Sequence, residues 1–317
     1  MIRVGIAGWS YPDWEGIVYP SPHPSGFDPL AFLARFVDVV EINSSFYRPP
    51  APRTAAKWAA RVANRPRFTF TAKLWRGFTH ERNATHETEE RQFREGLAPL
   101  AEAGRLSCVL VQFPHSFKPS GEGKDYLARI LDRFSDFPLV VELRRQDWVD
   151  EGVLAWLRDR GIGFCNVDQP RLGLGGGATL GPTRLLTARR AYVRLHGRNR
   201  ETWFAMTGTG AEAPPPGEPP RGAAGTAARD ARYDYLYTPA ELRPWVETLR
   251  ELDSRAEVTH LIANNHFRGK AVVNALMIKA MIEAEPVEGP SELAAAYPQL
   301  APFLRPAPRG TRQERLF

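Results

Sequence analysis

Lysine is the first thing this 317-residue chain has little of: six lysines stand among 42 basic residues, and the rest are arginines. With much alanine and proline as well, that pattern follows the coding bias of a GC-rich genome. The net charge of +6 is therefore only weak support for an anionic partner such as nucleic acid. Cysteine is scarcer still. Cys108 and Cys165 both lie in strand-like apolar runs, which excludes a disulfide framework and fits small buried core residues. No apolar run approaches the roughly 20 residues needed to span a bilayer. The chain opens directly on a strand-like run, Met1-Ile2-Arg3-Val4, which leaves no room for a signal peptide, so a cytoplasmic setting is expected. Local signature motifs are missing too. His80 and His86 stand six apart and do not make the H-E-x-x-H zinc spacing. The run Gly173-Leu174-Gly175-Gly176-Gly177 lacks the G-x-G-x-x-G spacing, and no Walker lysine follows it.

What the chain does have is repetition. Eight short apolar runs each close on a polar or charged residue. Val4–Gly8 runs into Trp9 and Ser10; Val39–Ile42 carries Glu41 and ends at Asn43; Phe68–Ala72 ends at Lys73. Val109–Val111 ends at Gln112, Leu139–Val141 at Glu142, and Ile162–Val167 at Asp168. Tyr192–Leu195 carries Arg194 and ends at His196, and Leu261–Ala263 ends at Asn264 and Asn265. Helical patterns separate most of them. Eight strands alternating with helices predict a closed (β/α)8 TIM barrel, whose strand C-termini share one mouth. The barrel is expected as a single domain over residues 1–285, with a C-terminal segment and basic tail over 286–317.

Helices are predicted from about Thr54 to Ala63, Glu87 to Ala103, Lys124 to Phe134, Asp150 to Arg160 and Ala271 to Ala284. Asp28-Pro29 reads as an N-cap followed by proline, and Thr238-Pro239-Ala240-Glu241 as a capping box. Two connections depart from the pattern. Residues 169–190 are glycine-rich with no clear amphipathic helix, and 211–228 form a low-complexity insertion of the kind that stays flexible.

The strand ends supply the candidate chemistry. Glu41, Glu142, Asp168 and His196 are the catalytic candidates, because paired carboxylates and a histidine serve acid/base work when their surroundings separate their pKa values. The alternative is that the carboxylates pair with Arg48, Arg144 and Arg194 in a purely structural network. His196 follows Arg194 by two residues, so both point to one side of their strand. A divalent metal would have to draw ligands from separate strands, such as Glu41, Glu142 and Asp168, since no local ligand spacing exists. Lys73, Arg144, Arg194, Asn43, Gln112, His80, Asn264 and Asn265 are candidates for holding substrate. Gly269 and Lys270, opening a helix after the eighth strand, fit an anion cradle. Trp9 and Tyr47 stand among aromatics of the first two loops that stack bases or sugars in other settings. The chain ends Gln313-Glu314-Arg315-Leu316-Phe317, a Q-x-x-L-F pattern similar to the short peptides by which bacterial repair proteins dock on the sliding clamp.

Taken in order, these motifs resemble the YecE-like family, a domain of unknown function. The matching segments are Val4–Trp14, Val40–Tyr47, Lys73–His80, Gln112–Pro114, Val141–Arg144, Val193–Gly197 and Asn264–His266. The resemblance implies a single TIM barrel and no established reaction, and leaves 211–228 and the tail outside the family core. Such a barrel is similar to those of endonuclease IV and xylose isomerase, an analogy of fold alone. Endonuclease IV binds several zinc ions through many histidines, whereas only one histidine here ends a strand.

The expected function is that of an enzyme, a hydrolase or isomerase, acting on an anionic, phosphate-bearing substrate. A nucleic-acid-binding repair accessory with a clamp-docking tail is the alternative.

Overall fold

A computed structural model describes residues 1–82, 87–173, 177–201 and 232–305. Eight parallel strands close into a barrel in sequence order: β1 (Ile2–Ala7), β2 (Val39–Ile42), β3 (Thr69–Lys73), β4 (Leu106–Gln112), β5 (Leu139–Glu142), β6 (Gly163–Asp168), β7 (Arg190–Leu195) and β8 (Val258–Ala263). The ring closes where β1 pairs with β8, Val4 opposite Leu261. The strands lie where the apolar runs predict, though β4 and β8 each begin three residues earlier. The added strand residues include Ser107 and His260, whose side chains meet across the barrel at 2.9 Å.

The helical layer follows the strands: α1 (Pro29–Leu33), a short α2 (Ser44–Tyr47), α3 (Pro52–Arg61), α4 (Glu87–Glu102), α5 (Gly121–Arg133), α6 (Glu151–Asp159), α7 (Pro239–Asp253), α8 (Lys270–Glu283) and α9 (Ser291–Ala296). Local chemistry sets several of their starts. Asp28 Oδ1 accepts from the Ala31 amide at 2.9 Å, and Pro29 occupies the first helical position. Thr238 and Glu241 form the reciprocal capping box that opens α7. Helix α8 is apolar on nearly every side, with Val272, Leu276 and Met277 fully buried. A helix of that kind needs cover on both faces. The barrel supplies one, and the C-terminal segment, with Leu293 and Leu300 buried, supplies the other.

Between β6 and β7 no helix appears among the described residues, as the glycine-rich run suggests. Side chains pin that connection instead. Asn166 Oδ1 accepts from the Leu185 amide and from Thr183 Oγ1, both at 2.7 Å, and Thr187 Oγ1 donates to Ile162 O at 2.6 Å. The insertion at 211–228 and the tail motif Gln313–Phe317 lie outside the described residues.

One glycine shows how tightly the wall closes. A Cβ on Gly5 would stand 1.7 Å from the Val39 carbonyl oxygen, so only hydrogen fits where β1 meets β2. Cys108 and Cys165 are both buried and free.

Candidate active site

Side-chain parity decides what enters the barrel. On β7, Tyr192, Arg194 and then His196 point inward, and all three are fully buried. Arg194 is the hub. Its Nη2 donates to Glu41 Oε1 at 2.6 Å, and its Nη1 donates to Glu142 Oε2 at 2.6 Å. One guanidinium thus forks between carboxylates from β2 and β5, a geometry that a lysine cannot reproduce. Gln112 Oε1 accepts from the same Nη1 at 3.3 Å. Tyr192 donates its hydroxyl to Glu41 Oε2 at 3.0 Å and is 2.8 Å from Thr71 Oγ1.

Glu142 carries a second arginine: Arg144 Nε donates to its Oε1 at 2.7 Å. His196 Nε2 lies 3.4 Å from that oxygen, and the Asn264 amide nitrogen lies 3.0 Å from His196 Nδ1. With the amide donating, Nδ1 is the bare nitrogen and Nε2 bears the proton directed at Glu142. Burial pushes the Glu142 carboxyl up, but Arg194, Arg144 and His196 outweigh it and hold it well below the usual carboxylate range. Burial keeps His196 neutral, well below its ordinary value, against the pull of Glu142. Glu41 and Glu142 therefore pair with arginines as the structural alternative holds, yet they do so inside the mouth.

The rim adds further positive charge. Lys73, the last residue of β3, places Nζ 3.8 Å from Glu41 Oε1 and 5.6 Å from the centre of the Phe46 ring. Burial, and then Arg194, lower its pKa to about 8. His80 accepts or donates at 2.8 Å to Thr79 Oγ1, sits edge-on to Phe46, and is lowered to about 3 by burial and by Arg144 and Lys73.

Three residues of this cluster were not among the sequence candidates. Tyr192 was findable, standing two before Arg194 on the same face. Arg232 and Tyr233 were not, because they follow the low-complexity insertion and belong to no strand. Burial alone would raise the Tyr233 phenol; the charges of Arg232, Arg144, Lys73 and Arg194 outweigh it and bring it to about 8. The segment 232–237 is anchored over the barrel end. Asn265 Nδ2 donates to Tyr235 O at 2.7 Å, the Gly197 amide donates to Tyr237 Oη at 2.9 Å, and Lys270 pairs with Asp234.

The remaining sequence candidates lie apart. Asp168 shares its strand face with Asn166, which points into the outer connection, so Asp168 faces away from the barrel interior. It accepts from Arg198 at 2.6 and 2.9 Å and from Trp245 Nε1 of α7 at 2.6 Å. Trp9 packs against Trp58 of α3, ring centres 5.3 Å apart. Asn43 lies just past β2, its Oδ1 buried with no hydrogen bond among the described residues, and Tyr47 is 55% exposed at the rim. Lys270 is taken by Asp234, and a Cβ on Gly269 would meet Val18 at 2.5 Å, so this turn serves packing. Among the described residues, no group of three His, Cys, Asp or Glu side chains is placed to hold a metal ion.

A family model described as "Protein of unknown function DUF72" matches residues 3–298. The chain belongs to the DUF72 family. Among DUF72 relatives it is 27% identical over 294 residues to the UPF0759 protein YunF of Bacillus subtilis, covering 90% of this chain and 96% of that one. It is 26% identical over 164 residues to the UPF0759 protein YecE of Escherichia coli K12, covering 51% and 55%. The barrel superposes on that of a DUF72 protein from Thermotoga maritima with a TM-score of 0.70 and 31% identity, covering 89% of this chain and 99% of the other. A DUF72 protein from Enterococcus faecalis gives 0.72 at 24% identity, covering 89% and 96%, a likeness of fold. The motif resemblance to the YecE-like family and the TIM-barrel expectation are both borne out. None of these likenesses assigns a substrate.

Proposed function

We propose that the barrel mouth of this DUF72 protein binds and transforms a small anionic, phosphate-bearing substrate. One observation carries the reading: cations outnumber carboxylates where the strands end. Arg194 alone bridges Glu41 and Glu142, and Arg144, Lys73 and Arg232 gather around the same two acids. A surplus of buried positive charge is costly unless an anion completes it. Glu142, held ionised between two guanidiniums, is suited to aiming Arg144 and Arg194 rather than to general-acid work. Proton transfer then falls to His196, Lys73 and Tyr233, whose surroundings move each toward or below neutrality. A cytoplasmic setting belongs to this proposal; no described helix is long and apolar enough to cross a membrane.

The test is calorimetric titration with inorganic pyrophosphate at fixed salt. Arg144→Gln should weaken binding about tenfold or more, the loss of one charge-assisted hydrogen bond of roughly 1.5–3 kcal/mol. Wild-type protein that takes up no pyrophosphate would overturn the reading. A second reading, a nucleic-acid accessory whose Gln313–Phe317 tail docks on a sliding clamp, draws support from the exposed ring of Tyr47 beside this basic mouth. It calls for oligonucleotide affinity that falls steeply with salt.

A further inference from the structure

Lys73 is unlike the other cations of the mouth. Arg194 through both Nη atoms and Arg144 through Nε donate to carboxylate oxygens, whereas Lys73 Nζ is within hydrogen-bond distance of no described group. Its nearest acid, Glu41 Oε1 at 3.8 Å, already accepts from Arg194 at 2.6 Å. The amine faces Glu41 of β2, Glu142 of β5, Arg194 of β7, Tyr233 of the covering segment, and His80 of its own following turn, with the Phe46 ring beside it. The side chain is 13% exposed, so a ligand entering the mouth reaches it.

We infer that Lys73 is a nucleophile that condenses with the aldehyde or ketone group of the anionic substrate, forming an iminium. The inference rests on the anion-binding reading for the identity of that substrate. Two further properties fit. Burial and the Arg194 charge lower the amine to about 8, so about a tenth of it is unprotonated at pH 7, far more than of an ordinary lysine, as lysine nucleophiles require. Arg144 stands ready to hold a carboxylate or phosphate of the same molecule.

The step balances without an oxidant or reductant. The ammonium releases a proton, and its lone pair forms the C–N bond as the carbonyl π pair moves to oxygen. A proton passes from nitrogen to that oxygen. The resulting hydroxyl then takes up one proton, equal to the one released, and leaves as water while nitrogen closes the C=N bond. Ammonium plus carbonyl gives iminium plus water.

The chain supplies its own controls, because Lys57, Lys118 and Lys124 are exposed. Full-length protein is treated with glyceraldehyde 3-phosphate and, separately, with glyceraldehyde, each with sodium cyanoborohydride to reduce any iminium, and labelled peptides are quantified by mass spectrometry across pH. The expected result is labelling of Lys73 at least tenfold faster than of the exposed lysines, rising through pH 8, strongest with the phosphorylated aldehyde and slowed by inorganic phosphate. Lys73 labelled fast by both aldehydes, with no effect of phosphate, keeps the nucleophile and overturns the anion-binding reading. Lys73 labelled no faster than the exposed lysines overturns the inference. Wild-type mapping needs no variant to fold; Lys73→Arg should remove that one labelled peptide.

Discussion

Two carboxylate–arginine stations stand at the C-terminal ends of this barrel's strands, and one side-chain direction separates them. Asp168 ends β6 facing outward. Arg198 approaches it with two nitrogens and Trp245 with a third donor, so its oxygens are filled and the pairing is closed. Glu41 and Glu142 face inward, and there a single guanidinium serves both while further cations crowd the rim. The outer station ties α7 and the strand 7 exit to the wall. The inner one gathers more cations than carboxylates, the imbalance that the proposed anionic substrate would offset. Residue type at a strand end thus says little about role until the direction of the side chain is known.

The largest effect should come from removing the inner hub. Arg194→Met leaves two fully buried acids facing each other without their shared partner, a loss of about 3–5 kcal/mol. In a domain of this size that lowers the melting temperature by roughly 10 °C. Arg194→Lys should not restore it, because an ammonium cannot fork between Glu41 and Glu142. Near-wild-type melting of Arg194→Met would show that the inner station is as self-sufficient as the outer one.

Acid should distinguish the regions next. His260, low in the barrel against Ser107, and His80 at the rim are both lowered to about 3, mainly by burial. A histidine neutral in the fold contributes stability that is complete above its unfolded pKa of about 6.5 and lost as pH falls toward the folded value. Each such group should therefore weaken folding by about 2 kcal/mol between pH 7 and pH 5. Glu142 adds nothing in that window, since its lowered carboxyl loses its contribution only below its unfolded pKa of about 4.3. Denaturant melts of His260→Gln should show a pH slope flatter than wild type by about one proton; an unchanged slope would mean that His260 is already charged.

The outer station should respond more mildly. Asp168→Asn weakens the Arg198 pairing, but Arg198 is 36% exposed and regains water. A loss of about 1 kcal/mol is expected, with pyrophosphate affinity unchanged. A drop in affinity would place Asp168 in the binding site after all.

How much of this was legible beforehand follows the same division. Every strand announced itself by an apolar run with a polar end, and the capping chemistry at Asp28 and Thr238 marked two helix starts. The direction of Arg194 and His196 could be paired by parity, since two residues apart on a strand share a face. Asp168 could not be aimed in this way: β6 is buried on both faces, so no apolar–polar alternation tells in from out. The charge cluster's outer members, Arg232 and Tyr233, reach the mouth only because Asn265, Gly197 and Lys270 fasten the segment that carries them. Those contacts join positions some 30 to 40 residues apart, and no local pattern encodes them.

The smallest effect, Tyr47→Ala, sharpens the contrast from the rim. The ring is 55% exposed, and its backbone carbonyl, which accepts from Trp75 Nε1 at 3.1 Å, survives the change. Stability should therefore move by no more than about 0.5 kcal/mol. If single-stranded nucleic acid occupies this face, the same substitution should cost about 1–3 kcal/mol of oligonucleotide affinity, because one stacked base loses its platform. If the mouth takes a small phosphorylated molecule instead, oligonucleotide and pyrophosphate titrations of Tyr47→Ala should both match wild type. A ring that changes neither folding nor pyrophosphate uptake but abolishes oligonucleotide binding would favour the accessory reading over the enzyme.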